Sequence, residues 1–114
     1  MIELTTSNFM NEVELSDKLC VIDIYADWCA PCRALAPALE ELEREYPQVK
    51  FCKINVDKAR NLAEIFNVSS IPLVAIVRDN TYLDFSEGLV PKENISQLIE
   101  GYLTENERNP KQSF

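Results

Sequence analysis

The chain has no histidine in 114 residues. Without an imidazole, hydrolases built on a Cys-His or Ser-His couple are excluded, and so are most mixed zinc sites. Positive charge is also scarce. Eleven Lys and Arg against nineteen Asp and Glu give a net charge of −8, the wrong sign for a phosphate-binding surface, so no nucleic-acid partner is expected. Long apolar runs are missing. None approaches the roughly 18 residues needed to span a bilayer, and Met1-Ile2-Glu3-Leu4 lacks the basic segment and apolar core of a secretion signal. A cytoplasmic protein with no membrane partner is expected. No internal repeat, linker or low-complexity segment divides the sequence, and 46% hydrophobic residues suffice for one core rather than two.

What the chain does have is Trp28-Cys29-Ala30-Pro31-Cys32-Arg33. Two thiols two residues apart close a disulfide with little backbone movement. The run before them, Leu19 to Tyr25, is rich in Val, Ile and Leu with one acid, Asp23, inside it, and reads as a buried strand. After Cys32, the spacing of Leu35, Leu39, Leu42 and Tyr46 predicts a helix with one buried face. The cysteines therefore fall where a strand gives way to a helix, Cys29 in the loop and Cys32 in the first turn. A helix N-terminus stabilises a nearby thiolate, which selects Cys29 as the attacking sulfur. In a reducing compartment, four cysteines point to thiols, metal ligands or catalytic sulfurs rather than a structural framework.

The remaining elements follow in order. Ile2 to Leu4 reads as a short edge strand, and Thr5-Thr6-Ser7 offers caps for a short helix through Phe9, Val13 and Leu15. Pro37 should kink the long helix, with Glu40, Glu41, Glu43 and Arg44 on its solvated face. Val49 to Val56 alternates as a second strand, and Asp57 to Asn67 holds a short helix. Leu73 to Val77 is a central strand, and Asp79-Asn80 tolerates the left-handed backbone of a tight hairpin leading to Tyr82–Ser86. Pro91 suits the first turn of a last helix with the stripe Ile95, Leu98, Ile99, Tyr102 and Leu103. From Thr104 to Phe114 a frayed polar tail is expected. Alternating strands and helices predict an α/β fold. Its mixed sheet of four to five strands carries helices on both faces, with an antiparallel edge, in one domain over residues 1–103.

The chain resembles the thioredoxin family over about residues 2–103. The resemblance rests on Val21-Ile22-Asp23-Ile24-Tyr25-Ala26 followed by Trp28-Cys29-x-Pro31-Cys32-Arg33, on Pro37, on Lys53, on Ile71-Pro72 and on Gly88. Three features depart from the family pattern: Ala30 in place of the usual glycine, Leu73 where threonine is common, and the turn dipeptide Asp79-Asn80 for Asn-Gly. The resemblance implies the thioredoxin fold, no cofactor and reduction of protein disulfides. It also implies two partners, disulfide-containing clients and a thioredoxin reductase or equivalent electron donor. By resemblance Asp23 reaches Cys32 through a water and is modulated by Lys53. Ile71-Pro72 is a cis-proline loop whose backbone pairs with an extended client segment, and Trp28, Ala30, Pro31 and Gly88 join it at the client-binding rim.

On this reading Cys29 attacks a client disulfide and Cys32 resolves the mixed disulfide. A thiol of pKa 8.5 is only about 3% ionised at pH 7, whereas one lowered to about 7 is half ionised. Asp23 is the candidate proton acceptor, since a carboxylate buried in a strand has a raised pKa. The alternative for Asp23 and Lys53 is a structural ion pair. Cys20 and Cys52 lie in predicted strands and read as small apolar core residues, and no metal site is expected from the four cysteines. Two other functions share the fold: a thiol oxidase or isomerase, and a binding module for which both cysteines are dispensable. No exposed apolar stripe demands a second subunit, so a monomer is expected.

Overall fold

The computed structural model describes residues 1–109, with the chain ordered as strand, helical turn, strand, helix, strand, helix, two strands and two helices. The strands are β1 (Ile2–Glu3), β2 (Cys20–Tyr25), β3 (Lys50–Asn55), β4 (Leu73–Arg78) and β5 (Thr81–Glu87). They form one sheet in the order β1-β3-β2-β4-β5. β1, β3 and β2 run parallel, while β4 and β5 are antiparallel to their neighbours. The sheet is the mixed one expected, at the upper end of the expected strand number.

Alternation along β2 sorts its side chains between two cores. Cys20, Ile22 and Ile24 pack on one face with Cys52, Ile54, Leu62, Phe66 and Ala75. Val21 joins Leu35, Leu39, Leu42, Phe51, Ile76, Ile95 and Ile99 on the other. The second face is covered by α1 (Ala30–Glu45) and α3 (Lys92–Tyr102), and the first by α2 (Arg60–Ile65) and a wide helical turn at Met10–Glu14. The period-two alternation places Asp23 on the α1 side, opposite Lys53 in the β2–β3 register.

The β4–β5 hairpin turns through Asp79 and Asn80, with φ of 52° and 58°. Both lie in the left-handed region a tight two-residue hairpin requires, at short polar residues that tolerate it. A register shift near Ile76 and Val77 lets Asp84 pair with Ile76 and Tyr82 with Val77. Pro91 precedes the last long helix rather than occupying its first turn.

The expected frayed tail is corrected over its described part. Thr104 caps α4 (Glu105–Arg108), accepting the N–H of Glu107, while the Glu107 carboxylate accepts the N–H of Thr104. The Arg78 guanidinium then grips both Glu107 oxygens at 2.6 and 3.1 Å and donates to the Tyr102 carbonyl. A polar composition alone does not reveal that a Thr-x-x-Glu capping box faces a half-buried arginine from another element. Residues 110–114 of the expected tail lie outside the described residues.

Candidate active site

The two cysteines of the motif meet at the C-terminal end of β2. Cys29 caps α1 in an extended conformation, φ −87° and ψ 107°, and Pro31 occupies the first turn, where its missing N–H costs nothing. Cys29 and Cys32 are disulfide-bonded, with Cα atoms 5.2 Å apart. The Cys32 backbone N–H donates to the Cys29 sulfur at 3.2 Å. A free amide of the first helical turn is thus aimed at Cys29, so a negative charge on that sulfur is met by both a hydrogen bond and the helix dipole.

Ile71 and Pro72 approach from the other side. Their peptide bond is cis, and the Ile71 carbonyl oxygen lies 3.9 Å from the Cys29 sulfur. The Pro72 carbonyl accepts the Gly88 N–H at 2.8 Å, tying this loop to the end of β5. Gly88 has φ +80°, and a Cβ there would meet nothing within 4 Å. The demand for glycine is therefore conformational, since L side chains rarely adopt this backbone.

Trp28 is 68% exposed on the rim, and its indole N–H donates to the Asp57 carboxylate at 2.9 Å. With Ile71 it lines a groove of about 590 Å³. Neighbouring polar residues brace the loop: Arg33 donates to the Asp27 carbonyl, the buried Asn55 amide reaches the Asp27 carboxylate, and Asn55 accepts from Asp57. Asn55, Asp27 and Asp57 were not singled out from sequence. Asn55 ends β3, and Asp27 and Asp57 lie two residues past the ends of β2 and β3, positions that many polar residues share.

Behind the disulfide, Asp23, Lys53 and Cys32 line one cavity of about 180 Å³ with Ala36 and Glu40. That is room enough for several waters. Asp23 is buried, its Oδ1 lacks a hydrogen-bond partner among the described residues, and its carboxyl is pushed up to about 7 by burial, against a smaller opposing effect of Lys53. The Lys53 ammonium instead sits 5.7 Å from the centre of the Tyr25 ring. Of the ten residues predicted for the site, the structure gathers Cys29, Cys32, Trp28, Ala30, Pro31, Ile71, Pro72 and Gly88 around the disulfide. Asp23 and Lys53 lie at the cavity beneath.

Cys20 and Cys52 stand apart from this site. Both are free and fully buried on the opposite face of the sheet. Burial, with Cys20 nearby, pushes the Cys52 thiol up to about 12.

Residues 1–101 match the thioredoxin family. Thioredoxin 1 of a Nostoc species is 35% identical over 102 residues, covering 89% of this chain and 95% of that protein. Thioredoxin of Staphylococcus saprophyticus is 36% identical over 104 residues, 90% and 98% of the respective chains. A solved structure of Plasmodium falciparum thioredoxin superposes with a TM-score of 0.83 at 28% identity, covering 90% of this chain and all of that one. With a capped Cys29–Cys32 pair at the end of a central strand and this breadth of similarity, the chain belongs to the thioredoxin family and is a thiol–disulfide oxidoreductase of the protein-disulfide reductase kind.

Proposed function

We propose that Cys29 is the attacking thiolate and Cys32 the resolving thiol in the reduction of client disulfides. The observation that carries this assignment is the Cys32 N–H directed at the Cys29 sulfur from the first turn of α1. The Cys29 thiolate attacks one sulfur of a client disulfide, and the client's other sulfur leaves as a thiolate that takes up a proton. Cys32 then gives up its proton and attacks Cys29, forming the intramolecular disulfide and releasing the second client thiol. Two electrons pass from the dithiol to the client, and an external dithiol donor returns them.

Cys32 needs a proton acceptor in a chain without histidine. Asp23 shares its cavity and has the raised pKa that suits transfer near neutral pH. The proton passes through water in that cavity, and Lys53 tunes the carboxylate from the neighbouring strand. Ile71 and Pro72 receive the client backbone, and Trp28, Ala30, Pro31 and Gly88 form the rim against which it lies. The catalytic residues all lie within residues 1–103, and the protein acts as a monomer in the cytoplasm with a thioredoxin reductase or equivalent donor. No helix among the described residues is long and apolar enough to cross a membrane.

Equilibration against glutathione buffers, beside insulin reduction driven by dithiothreitol, tests the reading. A potential near about −270 mV with rapid insulin reduction is expected, and a value of about −120 to −180 mV would replace it with an oxidase or isomerase. The Cys32→Ser variant should accumulate a client mixed disulfide, and Cys29→Ser should not. The reverse pattern overturns the assignment of roles.

A further inference from the structure

A second groove adjoins the one beside Cys29. Its volume is about 420 Å³, and its walls include Phe66, Asn67, Ser69, Tyr82, Phe85 and Glu87. Asn67 and Ser69 also line the groove that holds Trp28 and Ile71, so the two grooves lie side by side. A client segment lying in the first groove therefore comes alongside β5.

The chemistry of this second groove is one-sided. Phe66 and Tyr82 pack edge to face with centroids 5.5 Å apart, and Tyr82 and Phe85 do so at 6.2 Å. Tyr82 and Phe85 nonetheless remain 40% and 48% exposed, an apolar stripe that sequence patterning did not anticipate. Glu87 shares the Phe85 face of β5 by two-residue alternation. Its Oε2 accepts the Ser70 hydroxyl at 2.9 Å, and no cation pairs with it among the described residues. Asp84 also borders the groove, but its Oδ2 is engaged by the Tyr102 hydroxyl. No lysine or arginine lines these walls, and the adjoining groove offsets its Arg60 with Glu64.

Exposed aromatic faces beside an unpaired carboxylate suit a cationic side chain whose methylenes lie on the rings and whose head reaches the acid. An acidic client residue would meet an uncompensated negative field from Glu87. We propose that this groove takes a lysine or arginine side chain from an extended client segment flanking the disulfide, so that the protein prefers clients whose disulfides are neighboured by basic residues. The inference rests on the client-reduction reading above and names a substrate class for it.

Disulfide peptides of one sequence, bearing Arg, Gln or Glu at positions flanking the cysteines on either side, test the inference by their kcat/KM for reduction. The Arg peptide should exceed the Gln peptide by about threefold, the scale of one exposed cation–aromatic contact, with Glu lowest and the preference weakening in salt. In Glu87→Gln and in Tyr82→Ala the ratio of Arg-peptide to Gln-peptide reduction should fall. Glu14→Gln, an exposed acid outside the groove, controls for the net charge of −8 and should leave the preference intact. Equal reduction of all peptides, or a preference that Glu14→Gln erodes as much as Glu87→Gln, overturns the groove. Failure to reduce even the Gln peptide would instead overturn the reductase reading.

Discussion

Asp23 and Lys53 stand opposite each other in the parallel β2–β3 register, yet no ion pair joins them among the described residues. The ammonium lies over the Tyr25 ring and the carboxylate has an unpartnered oxygen. A closed pair would hold the carboxyl low. Because burial dominates instead, the folded-state pKa is pushed up to about 7 from an ordinary carboxyl value of 3.8.

A raised folded pKa has a definite sign for stability. The folded protein holds its proton on Asp23 more tightly than the unfolded chain, so this group's contribution is fully favourable below the unfolded pKa. It is lost as pH rises from about 4 through about 7, and is flat above that. Asp23→Asn should therefore stabilise the protein at pH 8, by roughly 2–4 kcal/mol, and by much less at pH 4. Urea unfolding of the oxidised protein at both values measures this, and an equal effect at both pH values would mean that Asp23 does not titrate as described.

The same substitution separates the steps of catalysis. Removing the proton acceptor should slow resolution of a mixed disulfide by Cys32 while leaving initial attack by Cys29 nearly unchanged, a loss of about 10²-fold on the affected step at most. Stopped-flow measurement of mixed-disulfide formation and decay distinguishes them, and equal slowing of both counts against a role for Asp23 in the second step.

How much of this site was legible in the sequence differs by residue. The Cys29-x-x-Cys32 spacing, the strand before it and the helix after it follow from local periodicity, which is why the sheet and the cap at Cys29 appear where expected. Asp23 is visible as the one acid in an apolar strand. The Asp57 carboxylate under Trp28 and the Arg78–Glu107 clamp join residues 29 positions apart in each case. No periodicity links such pairs, because the contact is made by the fold and not by the segment. Exposure of the β5 aromatics is a similar case: alternation identifies a face but not whether a helix covers it.

The Trp28–Asp57 hydrogen bond should hold the indole in place at the rim. In Asp57→Ala the ring loses its only hydrogen-bond partner among the described residues, and Trp28, the single tryptophan of the chain, reports on it directly. Fluorescence anisotropy should show a more mobile indole, and kcat/KM for insulin should fall by several-fold, the cost of about one charge-assisted hydrogen bond. An unchanged anisotropy would mean that packing, not Asp57, positions the ring.

Cys20 and Cys52 should be silent in the folded protein. Burial holds both thiols above their ordinary range, the second up to about 12, so little thiolate forms near neutral pH. Titration of the reduced protein with a chromogenic disulfide at pH 8 should count two fast thiols when folded and four in guanidinium. Cys52→Ser should lower stability by about 1–3 kcal/mol through a buried hydroxyl, with the activity of the folded fraction intact. A third fast thiol in the folded protein would place one of these cysteines within reach of solvent.

The Arg78–Glu107 clamp should make residues 104–109 part of the folded unit. Both side chains are 18% exposed, and Arg78 also donates to the carbonyls of Asp17 and Tyr102, so it ties β4 to the turn before β2 and to the end of α3. Glu107→Ala leaves this guanidinium short of its carboxylate and removes half of the Thr104 capping box. A loss of about 1–3 kcal/mol is expected, more than an exposed surface pair supplies. Since the clamp lies outside both grooves and the Asp23 cavity, insulin reduction by the folded protein should be unaffected. Urea unfolding of Glu107→Ala and of a chain ending at Leu103 should show similar losses. If the truncated chain is as stable as the full one, α4 contributes nothing to the fold and the boundary at residue 103 stands as a true domain end.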